Sequence, residues 1–190
     1  MAADKIPQLV ESSLKNEGKR TVALSKFAKG SFAPPHYHTD YTETFELIEG
    51  GMTVNLAPDM DPRHLAPTVL VPGKPVTIPI LTLHSFVVTE DDTRVKITFD
   101  PGSLGWEKVI SIMSGTLKDG VFHKLISPEA PSHPAWLAIL GQFTNTIFVG
   151  EALDRVEAYR SKNSAEIAAL QEDLVQKYAT QAALEKAANL

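Results

Sequence analysis

The sequence predicts a mainly β fold, a sandwich or barrel in the first half of the chain with helices behind it. Three observations predict it. Short apolar and β-branched runs follow one another from Thr21 to Asp100, most of them separated by Gly, Pro, Asp or Asn. After Asp100-Pro101-Gly102 the apolar residues recur at helical spacing instead. The chain has 190 residues and 43% hydrophobic content, enough for one sizeable core and too little for two equal domains.

Residues 1–20 are mostly polar, with a weak apolar stripe of Ile6, Leu9, Val10 and Leu14 that suits a short helix or an arm lying on the barrel. The strand candidates are Thr21-Val-Ala-Leu, Phe45-Glu-Leu-Ile, Met52-Thr-Val-Asn-Leu, Thr68-Val-Leu-Val, Val76-Thr-Ile-Pro-Ile, Ser85-Phe-Val-Val and Val95-Lys-Ile-Thr-Phe. Gly50-Gly51 is a hairpin signal, because both residues tolerate positive φ, and Pro72-Gly73 and Asp91-Asp92 read as turns. Trp106, Val109, Ile110 and Met113 mark a helix that Gly120 stops. A second apolar segment runs over 135–143, with Pro134 suited to its first turn. Asn163, with Glu166 three residues on, resembles a capping box opening a helix with Ile167, Leu170, Leu174 and Tyr178 on one stripe. That stripe packs on the barrel or against a second subunit. The organisation expected is an arm over 1–20, a barrel over 21–104 and a helical extension over 105–190. There is no internal repeat.

Composition narrows the partners. Eighteen basic against twenty-three acidic residues give a net charge of −5, which offers no long-range attraction to phosphate backbones or anionic lipid. No window approaches the roughly 18 apolar residues of a membrane span, and the first residues lack the apolar stretch of a secretory signal. The absence of cysteine excludes disulfides and thiolate metal sites. The expectation is a cytoplasmic protein that binds neither nucleic acid nor membrane and takes a small molecule.

The informative stretch runs from Gly30 to Gly50. Side chains at i and i+2 of a strand share a face, so His36 and His38 project together, as two imidazoles on one ion require. Pro34-Pro35 stiffens the approach to them. A short loop leads to Glu43 on the next strand, where Phe45 and Leu47 share its face. A carboxylate among such residues is costly unless paired or coordinated. Further on, Gly73 and the turn at Pro79 deliver His84 toward the same interior.

These two stretches resemble the two cupin motifs. The first matches at every spacing, from Gly30 through His36-x-His38 and Glu43 to Gly50, and the second at Gly73, Pro79 and His84. The second departs at Leu81, where the motif has glycine, and at Val88, where it has asparagine. Leu81 is expected to alter the turn that aims His84. The likeness covers about residues 21–100, and the segment from Gly102 to Glu107 with its helix is similar to the tail of small single-domain cupins of the quercetin dioxygenase type. The fold implied is the cupin double-stranded β-helix, a jelly-roll barrel with C-terminal helices. The resemblance implies that His36, His38, His84 and Glu43 hold one divalent transition metal ion, of the set Fe, Mn, Ni, Co, Cu or Zn. It also implies a homodimer. The activity implied is a metal-dependent dioxygenase acting on a small phenolic or enolisable compound, with Glu43 doubling as base. The alternatives are a lyase, isomerase or decarboxylase using the ion as Lewis acid, and a barrel that binds a small ligand without turnover.

Other polar residues carry blander expectations. Glu46 and Glu49 are solvent-facing, and Asp40 replaces Glu43 only if the strand register slips. His64 is a surface residue, and His123 and His133 lie outside the barrel. Tyr37 faces away from the site, whereas Tyr41 reaches the rim and, with Thr82, is a candidate to touch a ligand. Trp106, Met113 and Trp136 are core residues.

Overall fold

Alternating burial builds the barrel strands. In β4 (Thr42–Glu49) Glu43, Phe45 and Leu47 are buried between outward-facing neighbours. In β9 (Thr93–Asp100) Thr93, Val95, Ile97 and Phe99 do the same, the period-two pattern of a sheet wet on one face. The two pair antiparallel, with Glu43 opposite Phe99 and Phe45 opposite Ile97. Around this pair the computed structural model, which describes residues 7–121 and 133–189, forms two five-stranded antiparallel sheets. The first holds, in order, β1 (Gln8–Glu11), β2 (Thr21–Phe27), β9, β4 and β7 (Val76–Ile78). The second holds β10 (Thr146–Phe148), β3 (Phe32–His38), β8 (His84–Val88), β5 (Met52–Leu56) and β6 (Ala66–Val69). Without the edge strands β1 and β10, the orders β2-β9-β4-β7 and β3-β8-β5-β6 are those of an eight-stranded jelly roll. The mainly β barrel with C-terminal helices expected from the sequence is the fold observed.

The two edge strands come from the flanking segments. The arm pairs Gln8 with Leu24 and Leu9 with Ala23; Ile6 of its apolar stripe lies outside the described residues. At the other edge, Thr146–Phe148 pairs with β3, setting Thr146 opposite His38 and Phe148 opposite His36. Three residues behind a helix carry no readable period, so this strand had no sequence signal. In β3 the register against β8 shifts between Ala33 and His36, because Pro34 and Pro35 have no N–H to give the ladder.

Among the described residues the α-helices are α1 (Leu104–Lys118), α2 (Pro134–Thr144), α3 (Glu151–Tyr178) and α4 (Gln181–Ala187). Ser103 caps α1 by accepting from the Trp106 amide, and Gly120 follows its end at φ +67. Pro134 occupies the first turn of α2 as expected. Asn163 stands at a break within α3: its φ −131, ψ 24 is non-helical, and it separates two helical stretches, so a helix does resume after it. Its Nδ2 donates back to the Tyr159 carbonyl and so closes the first stretch. The apolar stripe simply begins earlier, at Ala152, Val156 and Tyr159, which pack into the same helical core as Ile167 and Leu174. Trp136 is buried in that core and Met113 packs against it. Trp106 packs against both the helical core and the barrel core, and so joins them. Among the described residues no helix is long and apolar enough to cross a membrane.

Candidate metal centre

The four residues singled out from the sequence meet inside the barrel. His36 and His38 occupy alternate positions of β3 and are buried, with Tyr37 between them on the other face. Glu43 is buried on β4, and His84 opens β8 as the register partner of His36. One ligand atom of each lies within 4.8 Å of the others. Ring centroids are 4.1 Å apart for His36 and His84, 5.0 Å for His36 and His38, and 5.2 Å for His38 and His84. Glu43 Oε2 stands 3.3 Å from His38 Nε2 and 3.2 Å from His84 Nε2.

The turn that aims His84 survives the departure at Leu81. Leu81 takes φ +61, the left-handed region that glycine enters freely. Its amide donates to the His38 carbonyl at 2.8 Å, and Thr82 donates to the Pro79 carbonyl at 3.2 Å, so the turn is tied directly to the strand bearing the first two histidines. Val88 is buried, and its backbone bonds to Gly30 and Ser31.

Two imidazoles are oriented by their own neighbourhood. His36 Nδ1 lies 2.7 Å from the Pro34 carbonyl and His84 Nδ1 lies 2.9 Å from the Thr82 carbonyl. A carbonyl only accepts, so each Nδ1 is the donor, and each neutral ring presents the Nε2 lone pair inward. Burial pushes the His36 pKa well below the ordinary value, and the charges of His84 and His38 push it further. Burial raises the Glu43 pKa, yet where His38 or His84 carries a second proton on Nε2 its hydrogen bond and charge outweigh burial and hold the carboxyl well below the usual range. An anionic oxygen facing imidazole nitrogens in a buried cluster calls for positive charge among them, a proton or a cation. Three neutral nitrogens and one carboxylate are a donor set that fits a borderline first-row ion.

Tyr41 is not at the rim. It is 1% exposed and sits behind His38, with Oη 2.8 Å from His38 Nδ1. It also donates to the Thr144 carbonyl at 2.7 Å and accepts from Trp106 Nε1 at 2.7 Å. Position 41, one residue before β4 begins, is in phase with Glu43 and faces inward. Burial, then the charge of Glu43, raises its pKa and keeps the phenol neutral. Thr82 acts through its carbonyl. Trp106 is partly buried, packs against both cores and is a hydrogen-bond donor besides. Thr144 and Thr146, whose hydroxyls are 2.7 Å apart, were not singled out; Thr146 Oγ1 is 3.3 Å from His38 Nδ1. Nothing local marks two threonines a hundred residues from His38.

The remaining polar residues fall elsewhere. Asp40 is exposed and accepts from Asn145 Nδ2 at 2.7 Å, while the pairing of Glu43 with both Phe99 and Ile78 fixes the register. Glu46 pairs with Lys96 on the outer face and Glu49 is exposed. His64 is a surface residue paired with Asp59 at 2.8 Å. His133 caps α2 through Nδ1, and His123 lies outside the described residues.

No family model matches the sequence. Over 102 residues the chain is 28% identical to a quercetin 2,3-dioxygenase of Bacillus subtilis, a match that takes 54% of this chain and spans only 28% of that relative's length. Among solved structures it is similar to KdgF from Halomonas sp., with 23% identity over 50% of this chain and 78% of that one and a TM-score of 0.42. An RmlC-like cupin from Desulfovibrio desulfuricans has 21% identity over 51% and 82%, with a TM-score of 0.39. Its strand order is that of a jelly-roll barrel, both motifs fold into one buried cluster, and over the matched residues the chain is similar to a quercetin 2,3-dioxygenase.

Proposed function

We propose that this chain is a cupin, a metal-dependent dioxygenase acting on a small phenolic or enolisable compound. The observation that carries the reading is the buried convergence of His36, His38 and His84 on the Glu43 carboxylate. The likeness to a quercetin 2,3-dioxygenase supports the choice of reaction. These residues would hold one divalent ion of the set Fe, Mn, Ni, Co, Cu or Zn. Bound there, such an ion supplies Lewis acidity and, where redox-active, electron exchange with O2. The chain does the rest. Outward hydrogen bonds on His36 and His84 hold both rings in place before substrate arrives. Glu43, held anionic, is the one carboxylate of the cluster and takes the proton from an enolic or phenolic hydroxyl. Phe86 faces inward on the same strand as His84, and Leu56 pairs with His84 across the sheet. Together they offer an apolar wall for a flat ring and exclude water beside it.

The test is metal quantified per chain in wild type and His84→Ala, followed by O2 uptake with phenolic and enolic compounds. The expected result is a near-stoichiometric first-row ion, lost in the variant, with O2 consumed during turnover. Turnover without O2 consumption would move the chain to lyase or isomerase chemistry. An unchanged metal content in His84→Ala would overturn the ligand set, and no metal after reconstitution would overturn the enzyme reading.

A further inference from the structure

We infer that the helical extension, acting through Tyr41 as a positioning residue, sets how His38 presents itself to the ion. The inference rests on the metal-centre reading above. His36 and His84 each donate from Nδ1 to a carbonyl two residues upstream, so the barrel alone orients them. Among the described residues no such carbonyl is bonded to His38 Nδ1. It faces two hydroxyl oxygens, Tyr41 Oη at 2.8 Å and Thr146 Oγ1 at 3.3 Å, and a hydroxyl can donate or accept.

The surrounding network decides which. The Thr144 carbonyl only accepts, so the Tyr41 O–H points to it. Trp106 Nε1–H only donates, so it occupies one Tyr41 lone pair. What remains toward His38 is an acceptor. The same holds for the second hydroxyl: Thr144 Oγ1 gives its proton to the Leu140 carbonyl at 2.7 Å, so between the two threonines Thr146 is the donor. Its free lone pair also faces His38. Both oxygens therefore require the proton on His38 Nδ1, which leaves the Nε2 lone pair turned toward Glu43. Trp106 is on α1, Thr144 ends α2 and Thr146 opens β10, so every group that assigns these proton directions lies in the extension. Tyr41 also stacks on the His38 ring, with centroids 4.6 Å apart and planes at 30°, which fixes the ring plane as well as its tautomer.

Removing the hydroxyl leaves His38 with the longer Thr146 contact alone. Outer partners of metal-bound histidines are worth about 10–100-fold in metal affinity. The experiment is Co(II) binding by wild type, Tyr41→Phe, Trp106→Phe and Thr146→Val, measured by competition with a chromophoric chelator. The visible spectrum of bound Co(II) and a thermal melt are recorded for each. Tyr41→Phe is expected to bind about 10–100-fold more weakly with an altered Co(II) spectrum. Thr146→Val is expected to lose less, because its contact is longer. Trp106→Phe keeps an aromatic ring against Phe99 but removes the indole N–H together with part of the ring, and its loss should fall between. A folded Tyr41→Phe with wild-type affinity and spectrum overturns the inference, and Trp106→Phe decides it in the same way if Tyr41→Phe does not fold. Wild-type protein that takes up no Co(II) overturns the metal-centre reading and this inference with it.

Discussion

At the scale of single residues, Leu81 shows how a motif position can change identity and keep its geometry. The backbone there needs positive φ, and Leu81 supplies it at φ +61 with its side chain 55% exposed. A branched side chain in the left-handed region is strained, while glycine is not, although glycine frees the unfolded chain. Because little packing is lost, Leu81→Gly should stabilise the protein by about 0.5–1 kcal/mol and leave its metal content unchanged. Urea denaturation reads the first quantity and elemental analysis the second. A loss of stability would mean that the exposed leucine contributes packing that outweighs the strain. His84 was legible in the sequence because its placement depends on this local turn. Tyr41 was misplaced at the rim because its neighbours, Thr144 and Trp106, are remote in the chain.

At the scale of elements, the N-terminal arm is held by one buried carboxylate. Glu107, in the first turn of α1, is 1% exposed. Its Oε1 accepts from the Ser13 amide at 2.7 Å, Ser13 Oγ at 2.6 Å and Thr21 Oγ1 at 2.8 Å, and its Oε2 accepts from Ser12 Oγ at 2.6 Å. These four described contacts are all from neutral donors, which compensate burial of the charge together with the positive end of the helix dipole. The approach is close: a Cβ on Gly102 would come within 2.5 Å of the Ser13 side chain. Glu107→Ala would orphan donors on the arm and on β2 at once, and should cost about 2–4 kcal/mol in a denaturant titration. Amide exchange should also speed up selectively over Gln8–Glu11. Wild-type exchange in β1 with the mutation in place would show that strand pairing alone holds the arm. A glutamate on an amphipathic helix reads as solvated, so nothing in the sequence set Glu107 apart.

At the scale of the whole molecule, barrel and extension share the site, so metal binding and folding are linked. An ion that binds only the native state adds about 2.7 kcal/mol at a hundredfold excess over its Kd. For a chain of this size that is a Tm rise of about 5–10 °C. Differential scanning calorimetry of metal-saturated and chelator-treated protein checks it, and identical melting points would mean the cluster binds no ion tightly. Acid acts on the metal-free form in a defined direction. His36 is held below its ordinary 6.5 by burial and by its neighbouring histidines. The unfolded chain then takes up a proton that the native state refuses, and stability falls as pH drops below 6.5. A melting point of the chelated protein that rises on acidification from neutral pH would contradict this assignment.

What the sequence determined by itself was whatever depends on short range. The strands showed as short apolar and β-branched runs between turn residues, the helices in the change of period after Gly102, and the four cluster residues in the spacing of His36, His38 and Glu43 and the Pro79 turn before His84. Each of these is set within one strand, one hairpin or one turn. Only the tertiary structure decided what closes the site from outside. It paired Thr146–Phe148 with β3, placed Tyr41 between His38 and two parts of the extension and buried Glu107 against the arm. Those features rest on contacts between residues 65 or more positions apart, where a side chain's role is set by the partner that packing brings to it and not by its neighbours in the chain.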